Sequence, residues 1–107
     1  MTDPAGPFDL HRDEEADCCV GCHLSWEESY VLGYLPRPAR QRIVREHEAL
    51  RAYRRRMGDW PRQRLIEHAE WEDGVFARYL PEAVLARMKH EHHALDFKIR
   101  QGLPLDD

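Results

Sequence analysis

The sequence predicts an all-α protein, an up-down-up-down four-helix bundle built from a 45-residue helical-hairpin repeat. Three observations lead there. Sliding the chain against itself by 45 places pairs residues 23–53 with 68–98 without a gap, and 11 of the 31 pairs are identical. Apolar and histidine positions return at spacings of three and four, the signature of one helix face. Prolines and glycines divide the chain into four segments of about 20 residues each, a common helix length. Two copies are too few to cap a solenoid, whereas two helical hairpins close into a bundle.

The first helix is expected near 14–35, with Val20, His23, Glu27, Tyr30 and Tyr34 on one face. Pro36 and Pro38 end it and open the second, because proline is tolerated only in a helix's first turn. The second, near 38–57, turns Ile43, His47 and Leu50 inward. Gly58-Asp59-Trp60-Pro61 offers a C′ glycine, an N-cap aspartate and an early proline. The third helix, near 60–80, repeats the first face as Leu65, His68, Glu72, Val75 and Tyr79. Pro81 separates it from the fourth, near 82–101, whose face is Met88, His92, Leu95 and Ile99. Residues 1–12 and 102–107 read as a flexible N-terminus and a flexible tail around a bundle spanning 13–101.

The 107 residues suffice for one domain. With 34% charged and 42% hydrophobic residues, the composition is that of a globular chain. No apolar run reaches the roughly 18 residues of a membrane helix, and the N-terminus lacks a secretion signal. A cytoplasmic protein with no membrane association is therefore expected. A net charge of −4 and the local cluster Arg51, Arg54, Arg55, Arg56 give no basic stripe interleaved with aromatics, so no nucleic-acid partner is expected.

The histidines carry the chemistry. His23 lies 13 residues before Pro36 and His47 lies 11 after it; His68 lies 13 before Pro81 and His92 lies 11 after it. In an up-down bundle, one imidazole from each helix then arrives at one level, with Glu27 and Glu72 one turn away on the same faces. A single His-x-x-x-Glu is more often a surface ion pair, but four imidazoles and two carboxylates buried at one depth are costly without partners. Two metal ions on the axis satisfy all six: His23, His47, His68 and His92 as terminal ligands, Glu27 and Glu72 bridging. Mixed nitrogen and oxygen ligands suit iron, with manganese as the alternative, better than a closed zinc site. His11, His90 and His93 read as surface residues, and Trp26 and Trp71 as core filler beside the site. Glu46 and Glu91 precede His47 and His92 and read as outer carboxylates or surface groups.

On these motifs the chain resembles the hemerythrin-like (HHE) family of non-heme di-iron four-helix bundles. REHEALR around His47 is similar to that family's first histidine helix. HAEWEDGVFARYLP, with His68 and Glu72, resembles its HxxxE helix, and KHEHHAL around His92 its third. The remaining carboxylate-bearing helix is matched at the N-terminus by His23 and Glu27, so the helix order reads as circularly permuted. The resemblance covers about residues 20–100 and implies a centre that binds or reacts with O2, peroxide or nitric oxide, in sensing, storage or redox detoxification. Oxygen carriers of the family use five histidines, and this chain offers four. A di-iron or di-manganese oxidase, or a ferroxidase, is the alternative, with whether the protein is an enzyme left open; so small a core leaves little room for a substrate pocket. The permuted order is compatible with a monomer or a domain-swapped homodimer.

Cys18, Cys19 and Cys22 are clustered and odd in number, which is not a disulfide framework. Cys19-Val20-Gly21-Cys22-His23 matches the attachment pattern of c-type haem, a less favoured reading because the repeat assigns His23 to His68. A redox pair near the metals and plain small residues are the other readings.

Overall fold

In a computed structural model, which describes residues 19–106, the chain folds into four helices with no strand among the described residues. Helix α1 is composite: α-helical over Val20–Trp26, π-helical over Glu27–Val31 and 3-10 over Leu32–Tyr34. Helix α2 runs Arg37–Met57, α3 runs Arg62–Tyr79 and α4 runs Glu82–Gln101. None of them is long and apolar enough to cross a membrane.

The breaks follow backbone chemistry. Pro36, Pro61 and Pro81 are the extended residues immediately before α2, α3 and α4, so each lacks an N–H only where none is needed. The cap of α3 is thus Pro61 and not Asp59, whose carboxylate instead accepts from Arg62 Nε at 3.4 Å. Gly58 and Gly102 end α2 and α4 with φ of 82° and 73°, left-handed conformations in which a Cβ is strained. Cys19 is extended (φ −82°, ψ 163°), so α1 starts at Val20 and does not run back toward residue 14 through it. The rest of that stretch, the expected flexible N-terminus and Cys18 lie outside the described residues.

Two apolar clusters fill the interior. Trp26, Val31, Leu32, Leu35, Ile43, Phe76, Leu80, Val84 and Met88 form one. Val20, Leu24, Leu50, Trp60, Leu65, Leu95 and Leu105 form the other. In every helix the histidine falls between a member of one cluster and a member of the other: Ile43, His47, Leu50 in α2, and Met88, His92, Leu95 in α4. A polar layer therefore separates two apolar ends.

One expectation is corrected by this packing. Tyr30, Tyr34 and Tyr79 are not inward; they are 39%, 40% and 44% exposed, while Val31, Leu35, Phe76 and Leu80 are buried in their stead. Steps of three and four both fit a 3.6-residue period, and here the inward path takes steps of four from each glutamate. The stretch 102–106 is held. Leu105 is buried in the second cluster, its carbonyl accepts from Val20 N at 3.0 Å, and Asp106 accepts from Trp60 Nε1 at 2.9 Å.

Candidate metal centre

The six residues singled out in the sequence are brought together, five of them buried and His92 partly so, its side chain 9% exposed. Glu27, His47, His68 and Glu72 each present a ligand atom within 4.8 Å of the others, and His23, Glu72 and His92 form a second such group. Glu72 belongs to both. Its Oε2 lies 2.9 Å from His68 Nε2 and 3.8 Å from His47 Nε2, while its Oε1 lies 3.4 Å from His92 Nε2. Glu27 Oε1 lies 3.6 Å from both His23 Nε2 and His47 Nε2. The imidazole rings pair edge to face, His23 with His92 at 5.0 Å and His47 with His68 at 5.1 Å.

Every one of the four rings has its Nδ1 on a carboxylate. His23 Nδ1 meets Glu91 at 2.6 Å, His47 Nδ1 meets Glu28 at 2.6 Å, and His92 Nδ1 meets Asp73 at 2.7 Å. His68 Nδ1 is bonded to Glu46. Arginines hold three of these carboxylates: Arg87 on Glu91 at 2.7 Å, Arg42 on Glu46 at 2.8 Å, and Arg51 on Glu28 at 2.7 Å. Burial opposes ionisation of Glu91, Glu46 and Glu28, but the arginine and histidine donors outweigh it and keep all three below the ordinary glutamate range. An ionised carboxylate can only accept, so Nδ1 carries the proton. In a neutral ring, Nε2 is then a bare lone pair.

Those lone pairs point at carboxylate oxygens. Among the described residues, both oxygens of Glu27 and of Glu72, and Nε2 of His47 and His68, receive no hydrogen bond. The 2.9 Å contact of His68 with Glu72 lacks hydrogen-bond alignment. Burial, and then the neighbouring Glu72 carboxylate, push the Glu27 carboxyl well above the ordinary range. For Glu72 burial acts the same way, but Glu27, His47, His68 and His92 outweigh it and hold it well below. Left to itself the carboxyl pair would keep one proton. A buried crowd of carboxylate oxygens and imidazole nitrogens is satisfied by a cation, a proton on the rings or a metal ion, and either His/Glu group could hold a metal.

The contacts recur at an offset of 45. Glu91 on His23 corresponds to Glu46 on His68, and Glu28 on His47 to Asp73 on His92. Arg87 lies 4.3 Å over the Trp26 ring and Arg42 lies 3.9 Å over that of Trp71. The tryptophans therefore anchor the arginines that hold the outer carboxylates, besides filling space. Glu46 and Glu91 meet the Nδ1 atoms of His68 and His23, histidines of other helices and not their own neighbours. Glu28, Asp73 and the three arginines were missed. One signal was available, an acidic residue directly after Glu27 and after Glu72. His90 and His93 are exposed, as expected, and His11 lies outside the described residues.

Several hollows lie near the cluster, among them one of about 250 Å3 that His68 lines together with Glu46, Arg42 and Trp71. An open groove of about 660 Å3 is lined by Cys19, Cys22, Trp60, Arg51, Arg54 and Arg55 among others; His23 does not line it. Cys22 N donates to Cys19 Sγ at 3.2 Å. A second cavity, about 290 Å3, ends on His23, His68, Glu72 and His92. It is more space beside the ligands than so small a core suggested.

No family model, curated protein or solved structure matches the chain.

Proposed function

We propose that the chain is an up-down-up-down four-helix bundle of the hemerythrin-like kind, in permuted helix order, whose 45-residue repeat supplies the two halves of a di-iron centre. In this reading His23, His47, His68 and His92 are the nitrogen ligands, and Glu27 and Glu72 the bridges. The observation that carries it is the orientation of four imidazoles by four carboxylates. Each Nδ1–H is tied outward, so each Nε2 is turned toward the buried glutamate pair. Carboxylate–histidine pairs of this kind fix the tautomer and raise the basicity of a metal-binding imidazole. The mixed nitrogen and oxygen set favours iron, with manganese as the alternative.

The bundle topology is supported by the order of cluster residues along each helix, which reverses from one helix to the next. The six residues converge within one folded chain, so a domain swap is not needed to complete the set. His23 Nε2 faces Glu27 and not the cysteine groove, which speaks against c-type haem.

When bound, a pair of iron ions supplies two coupled redox equivalents and open positions for a small oxygen or nitrogen ligand. The chain's own part is to orient the imidazoles, to bridge with two carboxylates, and to keep water out with an apolar cluster at each end. The reading is therefore a protein that binds or reacts with O2, peroxide or nitric oxide, in sensing, storage or redox detoxification. The cavity reaching His23, His68, Glu72 and His92 favours a second reading, a di-iron or di-manganese oxidase. Metal analysis of purified protein with an absorption spectrum tests both. Two iron per chain with oxo-bridge bands in the near ultraviolet is the expected result; a sharp Soret band, or full activity without a transition metal, would end this account.

A further inference from the structure

The two halves are not equal where the second cavity lies. Its walls are aliphatic, made by Val20, Leu24, Leu65, Ile66, Leu95 and Ile99, and neither Glu27 nor His47 lines it. Ala69 also lines it, at the position that the repeat pairs with Leu24. The smaller side chain leaves room in the second half that the leucine fills in the first. Ile99 is paired with Arg54, whose guanidinium is turned to Asp106 at 2.7 Å. The corresponding wall of the first half thus carries a charge at this position.

The size is informative. A single water takes up roughly 30 Å3, and an aliphatic cavity of roughly 150 Å3 holds benzene. At about 290 Å3 this cavity far exceeds what a diatomic molecule or peroxide needs. Aliphatic walls with a few polar groups converging at one end are the usual make-up of a small-molecule site. The rim mixes Glu70, Asp73 and Asp96 with Lys89 and His93, so it does not select for one sign of charge.

We infer that this cavity binds a small uncharged apolar organic molecule, held with one end against His23, Glu72 and His92. What stands at that end rests on the proposed metal centre; the cavity does not.

The test is calorimetric titration of toluene and 4-methylphenol into the protein as purified and into Ala69→Leu, with metal counted in the same samples. The wild type binds both, and 4-methylphenol at least tenfold more tightly, because its oxygen reaches the polar end. Ala69→Leu weakens both at least tenfold at unchanged metal content. Ile66→Phe, which fills the same space, gives the same loss should the first variant fail to fold. A metal-loaded wild type that ignores toluene, or variants that bind as well as it does, overturn the inference and leave the metal centre standing. Equal affinity for the two probes overturns the end-on contact. Toluene binding by a metal-free preparation supports the cavity and removes the metal reading instead.

Discussion

Glu72 touches more of the centre than any other side chain, with oxygens toward His47, His68 and His92. Glu72→Ala should lose most bound metal and lower stability by about 2 kcal/mol, roughly 10 °C in a domain this small, because the imidazoles left behind are buried and unpaired. Unchanged metal content in the variant would contradict that role. Asp73 acts one step further out. Among the described residues it alone of the four carboxylates on Nδ1 atoms has no arginine as a hydrogen-bond partner, and an offset of 45 pairs Arg51 with Asp96. Asp73→Ala should weaken metal binding 10- to 100-fold, the usual loss for such an outer partner, with the helix content intact. Competition with a chelator of known affinity measures it, and an unaltered affinity would show that the His92–Asp73 bond does nothing for the metal. The six inner residues were legible because duplication doubled a His-x-x-x-Glu signal that is weak alone. Glu28 and Asp73 were not, because each serves a histidine 19 residues away on another helix and only tertiary packing creates that partnership.

At the scale of elements, the number of helices and the Pro and Gly breaks were readable from local backbone rules. What escaped was winding. The π-helical segment Glu27–Val31 starts on a candidate ligand, and nothing in the residues EESYV marks it; such bulges occur often at functional sites. The inward path through Val31 and Leu35 was mistaken for one through the repeated tyrosines, since identity between copies reports shared constraint and not burial. At the end of the chain Gly102 and Pro104 look like loop, while Leu105 packs beside Val20 and Trp60. Leu105→Ala should cost about 2 kcal/mol, at the low end of core leucine truncations because a chain end can settle into the space. Thermal unfolding of the variant checks this. A change within a few tenths of a kcal/mol would mean that the tail does not stay docked, and the metal content should not alter in either case.

For the molecule as a whole, the polar layer between two apolar ends makes stability depend on what occupies the layer. Burial works against protonation of His92, but Asp73 and Glu72 outweigh it and raise its pKa from 6.5 to about 9. His68 is raised as well, burial being outweighed by Glu72 and Glu46. A group whose folded pKa lies above its unfolded value binds more protons in the folded state, so its contribution is full below about pH 6.5 and fades as the pH climbs through the folded pKa. The lowered groups act elsewhere. Burial lowers His23, which contributes nothing more above 6.5, and Glu28, Glu46, Glu72 and Glu91 have all ionised in both states well before that. Protein stripped of metal should therefore lose melting temperature steadily from about pH 6.5 to 9. Protein loaded with metal should not, because in the proposed centre ligation and protonation would compete for the same Nε2 atoms. Melting curves across that interval, with and without chelator, decide the matter. Two parallel sloping lines would mean that no metal competes for these imidazoles, and a flat curve for the stripped protein that they do not bind the proton assigned to them.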